Sequence, residues 1–231
     1  MPEPKPATRT VADIDHVLEV ALAGAADAAA WEPLLLKRGL RPAARDGAVE
    51  LELMATDLRW KGIRFREWSV AVPALPLGAT EDGGALGGYL PQAFNSAAPL
   101  AWAERVLFKT PYRHAVIAAS GEPPAAMAVT LGGRAALRAR MAGPRAPSET
   151  RQRDLASVVY LPGEPKRQFD VRLAGEQMIY PVADDDEWSL APIDGYPIFA
   201  WLRDSQFAPS EWRICRRARH RKSNTYRQPG A

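Results

Sequence analysis

The chain is poor in the residues that build disulfides and metal centres. It holds one cysteine, Cys215, in 231 residues. A lone thiol excludes an internal disulfide and any zinc site built on cysteines. Its three histidines, His16, His114 and His220, share no metal-ligand spacing. No metal and no cofactor is expected. Long apolar runs are also missing. The longest, Val17 to Trp31, is interrupted by Glu19 and Asp27 and is too short to span a bilayer. The start, Met-Pro-Glu-Pro-Lys-Pro, lacks the apolar core of a secretory leader. These absences read as a soluble cytoplasmic protein with no membrane partner.

What remains is an ordinary globular composition. Hydrophobic residues make up 47% and charged residues 25%, which excludes a disordered chain. The length suits one sizeable core. The 21 prolines sit mostly between apolar runs, which favours short elements joined by turns over a helical bundle. Residues 1–9 read as a disordered start, 10–209 as a single domain and 210–231 as a flexible basic tail. From Ser210 to Ala231 there are seven Lys/Arg and one Glu, so the net charge of +3 belongs to that tail and the body is slightly acidic. Trp212 and Tyr226 flank the basic run, but no nucleic-acid-binding motif accompanies it. A solvated terminus is the simpler reading, and an interaction protein using the tail is an alternative.

Periodicity gives mostly strands. Val49–Met54 alternates cleanly, with Val49, Leu51 and Leu53 on one face and Glu50 and Glu52 on the other. His16–Ala23 alternates loosely and reads as a strand, although Thr10 with Asp13 resembles a capping box. A helix is expected over Ala26–Leu36, ended by Gly39. Ile63–Val72 and Leu86–Asn95 read as strands and Pro76–Gly88 as a loop, while Ser96 is placed to cap a helix over Ala98–Phe108. Further β-like runs cover His114–Ala118, Ala125–Leu131, Ala135–Met141, Leu155–Leu161, Phe169–Leu173 and Gln177–Val182. Gly83-Gly84 and Gly132-Gly133 read as turns. The sum is an α+β, mostly β domain: a barrel or sandwich with a few covering helices.

Two blocks carry a family resemblance. Val49-Glu50-Leu51-Glu52-Leu53-Met54-Ala55, followed by Phe65-Arg66-Glu67 and Pro73, resembles a strand pair of the acetoacetate decarboxylase superfamily. Glu52 and Glu67 stand at the spacing of that family's two active-site glutamates. Gly88-Tyr89-Leu90, Pro99, Arg105 and Pro111 resemble a second block in the same order. The resemblance covers roughly residues 26–131. It implies an antiparallel β-barrel or cone with a central cavity, peripheral helices, a homo-oligomer, and a small carbonyl or carboxylate ligand. Where the family places its Schiff-base lysine and a second lysine, this chain has Tyr112 and Arg113. No arginine stands between His16 and Ala25 to meet a substrate carboxylate. The run through Pro111, Tyr112 and His114 is most similar to a domain-of-unknown-function branch that lacks the lysine.

The candidates follow from that resemblance. Glu52 and Glu67 are the acid–base pair. Tyr89 and Tyr112 offer hydroxyls, Arg113 a fixed charge, and His114 a group that titrates near neutrality. Arg105 braces the helix or the site loop. Lys109, the nearby lysine, suits the negative end of its helix better than the role of a displaced nucleophile. The expectation is a barrel that binds a small carbonyl or carboxylate compound without Schiff-base decarboxylation. A lyase or hydrolase using Glu52 and Glu67, or Lys109, is the alternative.

Overall fold

The computed structural model describes residues 8–79 and 86–228. The disordered start expected over 1–9 therefore falls largely outside the described residues, as does the Gly83-Gly84 turn. β1 (Thr10–Asp27) leads through one 3-10 turn into a short α1 (Glu32–Leu36). Then come β2 (Leu40–Pro42), β3 (Ala48–Trp60) and β4 (Ile63–Pro76). Two short strands, β5 (Gly87–Tyr89) and β6 (Ala93–Asn95), precede α2 (Ala98–Val106) and β7 (Tyr112–His114). β8 (Val116–Ser120), β9 (Ala126–Leu131) and β10 (Arg134–Arg140) form a small meander. β11 (Glu149–Leu161) and β12 (Arg167–Pro181) make a long hairpin. The chain closes with β13 (Glu187–Leu190), α3 (Ile198–Asp204), β14 (Ala208–Ser223) and β15 (Tyr226–Arg227). No helix among the described residues is long and apolar enough to cross a membrane.

The large sheet closes on itself. Its strands run β3-β1-β14-β12-β11-β5-β4, and β4 pairs back onto β3. All these pairings are antiparallel except β11 with β5. The second sheet, β13-β10-β9-β8, lies against the outside of this barrel together with α3. The outward residues of the barrel strands form the main core there: Val20 and Leu22, Leu51 and Leu53, Trp68 and Val70, Phe94, Trp212 and Ile214. Trp68 stacks on Phe199 of α3 at 5.4 Å and meets Phe94 in a tilted pair at 5.8 Å. Full burial of such side chains supplies about 1.5–3 kcal/mol each.

The barrel explains why β1 alternates so weakly. Val20 to Ala23 are all buried because the strand is covered on its outer face by the small sheet and on its inner face by the barrel interior. The expected helix from Ala26 shrinks to five residues, since β1 runs on to Asp27 and Pro33 must sit in the first turn. The Thr10–Asp13 pattern caps no helix; it lies within β1. Leu86–Asn95 is two strands, and the last two predicted runs are one strand bent by a bulge between Ala174 and Met178. There Gly175 permits β12 to approach β14, because a Cβ would lie 2.7 Å from the Cys215 sulfur. Ser96 does not cap α2: its hydroxyl accepts the Arg66 backbone N–H at 2.8 Å.

The largest correction concerns the tail. Residues 208–223 are a central barrel strand, paired with β1 on one side and β12 on the other. Most of its basic residues are matched by acids. Arg213 meets Glu50, Glu52 and Glu211; Arg219 and Arg221 meet Asp13; Lys222 meets Glu104. Charge counting alone cannot separate a solvated basic tail from a strand whose acidic partners lie up to about two hundred residues upstream.

Candidate functional site

Strand register brings one polar row onto the inner face of the barrel. Cys215, Glu19, Thr56, Glu67 and Asn95 stand directly opposite one another on β14, β1, β3, β4 and β6. Facing pairs of this kind lie roughly 4.5–5.5 Å apart at Cβ. Tyr112 joins the row from β7, whose parallel pairing with β6 sets it beside Ala93.

Glu67 is the centre of the row. Asn95 donates its side-chain N–H to one carboxyl oxygen at 3.1 Å, and the Tyr112 hydroxyl approaches the other at 3.2 Å. The Asn95 amide is oriented by its own oxygen, which accepts the Ala97 backbone N–H at 2.8 Å. No cation contacts Glu67 among the described residues. Burial therefore dominates, the nearby Glu104 charge adds to it, and the carboxyl is pushed up to about 7 despite Lys222, Tyr112 and His220. Protein surrounds the carboxyl deeply, yet Glu67 keeps part of its surface accessible. Burial, then the Glu67 and Glu104 charges, hold the Tyr112 hydroxyl well above its usual range, so it stays a donor.

Two charged clusters flank Glu67. On one side Glu19, 1% exposed, receives Arg153 from β11 and His220 from β14, each at 2.5 Å. Burial opposes its ionisation, but the His220 hydrogen bond and the Arg153 charge together keep it below the usual carboxylate range. On the other side Lys222 donates to both oxygens of Glu104 at 2.7 and 2.5 Å, and Thr110 donates to Glu104 at 2.7 Å. The Lys222 nitrogen also lies 4.9 Å from the ring of Phe169, 5.3 Å from Phe108 and 5.6 Å from Tyr112. Such contacts stabilise an ammonium. Two donors in this interior have no partner among the described residues: the Thr56 hydroxyl and the Arg153 Nε.

Of the residues singled out in the sequence, Glu67 and Tyr112 meet at this site. Glu52 shares the inner face but sits four residues further along β3, roughly 13 Å away at the usual strand rise. Arg213 binds it there at 3.1 Å. Tyr89 points outward into the main core, since it pairs with Val72 on the opposite face of β4. Arg105 lies on the solvent side of α2, because Ala101 and Glu104 take the inward positions. Lys109 is exposed in the turn after α2, with φ +57°. Arg113 is exposed and rests 5.8 Å from the Tyr196 ring, and His114 is exposed on the edge strand. Sequence reasoning missed Glu19, Thr56, Asn95, Glu104, Arg153, His220 and Lys222. Glu19 and Asn95, polar residues inside apolar runs, were the available signal; the others lay outside any motif.

No family model matches the sequence, and no curated protein matches it. Solved structures do. An acetoacetate decarboxylase-like enzyme from Sphingomonas wittichii RW1 superposes with a TM-score of 0.64 at 12% identity, over 94% of this chain and 92% of that one. The acetoacetate decarboxylase of Legionella pneumophila gives 0.62 at 14% identity, over 100% and 92%. This chain has the acetoacetate decarboxylase-like fold. The enduracididine biosynthesis enzyme MppR, solved with the condensation product of pyruvate and imidazole 4-carboxaldehyde, gives 0.62 at 14% identity, over 97% and 90%. In this acetoacetate decarboxylase-like barrel the Tyr112 ring stands where the sequence resemblance puts a lysine. Lys222, on β14, places an amine beside the Tyr112 ring. Among the described residues no group of three or more His, Cys, Asp or Glu is placed to hold a metal.

Proposed function

We propose that the barrel interior binds a short carbonyl- or carboxylate-bearing compound beside Glu67 and Tyr112, and that Glu67 exchanges a proton with it. The observation that carries this reading is Glu67 itself: a carboxyl on the inner face of the barrel, pushed up to about 7, whose hydrogen-bond partners among the described residues are two neutral donors. A group that titrates near neutrality suits general acid–base work. Tyr112 would donate to a carbonyl or enolate oxygen, and Lys222 would supply a fixed positive charge nearby. The ligand in MppR, built from pyruvate and an aldehyde, is of the same chemical class.

The chemistry proceeds without a Schiff base. Tyr112 cannot form an iminium. Lys222 is clasped by both oxygens of Glu104, and an amine must lose its proton before it attacks a carbonyl. The presence of an interior amine nonetheless favours a second reading, in which Lys222 is the nucleophile. Borohydride trapping separates the two. The protein is incubated with pyruvate or acetoacetate, reduced, and weighed intact, while calorimetry follows binding of the same compounds. Binding without a covalent adduct supports the first reading. An adduct mapped to Lys222 supports the second. Absence of any binding removes both.

A further inference from the structure

Strand register also builds a polar groove on the outside of the barrel, near the β3–β4 turn. Successive residues of a strand point to opposite faces. Thr56 and Glu67 face inward, so Asp57, Arg59, Arg64 and Arg66 face outward. Arg66 marks the side, since it donates to the Ile117 carbonyl of β8 at 3.4 Å. Arg59 and Arg64 stand directly opposite each other in the ladder. Like charges in that relation destabilise a strand pair. Asp57, the acid on this face, accepts two bonds from Arg64 at 2.8 Å and one from Arg66 at 2.9 Å. Arg59 is left with no acidic partner among the described residues. Arg64 keeps three of its five N–H donors.

The backbone of β1 delivers a further donor. Asp15 and His16 together stand opposite the one residue Arg219 of β14, which is a bulge. His16 takes φ +58° there, an uncommon conformation for a residue with a side chain. Backbone strain of this kind clusters at binding sites. Asp15 turns to Arg219 at 3.3 Å, away from the groove. His16, Arg59 and Arg64 line one groove of about 310 Å3 with Leu18, Asp57 and Leu58.

We propose that this groove binds a phosphoryl group, as inorganic phosphate or as the end of a small phosphomonoester, between the Arg59 and Arg64 guanidiniums and the His16 imidazole. Guanidiniums present forked donors that match phosphate oxygens, and an imidazole donates an N–H in either tautomer. Arg59, Arg64 and Arg66 set against Asp57 leave a surplus of two positive charges, which suits a dianion better than a single carboxylate. A phosphoryl group seated there also offsets the repulsion between the two facing arginines. The groove lies on the face opposite Glu67, so it stands or falls apart from the interior reading.

The test is calorimetric titration of the full chain with inorganic phosphate and, separately, with glycerol 3-phosphate, against sodium chloride at matched ionic strength. Saturable binding of at least one phosphate probe is expected, and none of chloride. Tighter binding of the ester assigns the groove to a small-molecule phosphate; equal or tighter binding of inorganic phosphate assigns it to the free ion. Arg59→Gln is expected to weaken binding about tenfold or more. Without phosphate the same variant is expected to melt at or above the wild-type midpoint, because one of two facing charges is gone. His16→Gly keeps the left-handed backbone and deletes the imidazole, and affinity is expected to fall about threefold. Arg138→Gln removes an exposed guanidinium of β10 outside the groove and is expected to bind as wild type does. The proposal is overturned if wild type binds neither phosphate probe or if Arg59→Gln binds as tightly as wild type. An equal loss in Arg138→Gln also overturns it, because bulk surface charge then explains the binding. A lower phosphate-free midpoint in Arg59→Gln counts against it as well, since the arginine then serves the fold.

Discussion

Glu52 and Glu67 lie on the same inner face of the same barrel, fifteen residues apart in sequence, and have opposite surroundings. Glu52 shares the Arg213 guanidinium with Glu50 and Glu211, so charge meets charge. Among the described residues Glu67 takes direct hydrogen bonds only from an amide and a phenol, and the charges of Glu104, Lys222 and His220 act on it without contact. A carboxylate beside a guanidinium is matched charge to charge and serves the structure. A carboxyl beside neutral donors in a low-dielectric interior is poised to gain and lose a proton. The sequence places both glutamates in motif-like positions, and only their partners tell them apart.

That contrast is tested first at the charges around Glu67. Arg153→Met strips Glu19 of its guanidinium and leaves His220 as its main partner. Breaking a buried pair in this way is expected to cost about 3 kcal/mol, read from urea unfolding. A loss under about 1 kcal/mol would mean that the interior charges are better solvated than the geometry implies.

Glu67→Gln acts through pH. The folded-state carboxyl titrates at about 7 against an ordinary 4.5, so the folded protein favours the protonated form. That contribution is complete below about 4.5, declines as pH rises through about 7, and stays lost above it. Glu19 and Asp57, both held low, act in the opposite direction and matter only as pH falls through the acid range. Between pH 5 and 8 wild type is therefore expected to lose stability relative to Glu67→Gln. Urea midpoints at the two pH values check this, and parallel curves would count against it.

Glu52→Gln sets the lower bound. Arg213 keeps two acidic partners, and Glu52 is partly exposed, so the expected change is about 1 kcal/mol or less, with pyruvate binding unaltered. Lost binding in this variant would erase the distinction between the two glutamates.

Much of the barrel was legible in the sequence. Alternation in Val49–Met54 gave β3, and the Ala98–Phe108 pattern gave α2 within two residues. Glu67 and Tyr112 were legible through the resemblance. The rest required register. Glu19 reads in the sequence as a blemish in an apolar run; only pairing with β14 and proximity to β11 makes it the anchor of Arg153 and His220. Lys222 reads as one more basic residue near the terminus. Its place inside the barrel depends on a ladder between residues about two hundred positions apart, which no local period encodes.

The most direct test of the account is the titration of the Glu67 side-chain carboxyl itself, followed by carbon-13 NMR of labelled protein with Glu67→Gln for assignment. The account expects a midpoint near 7, moving when pyruvate is added. A midpoint in the ordinary carboxylate range, unmoved by pyruvate, would contradict it.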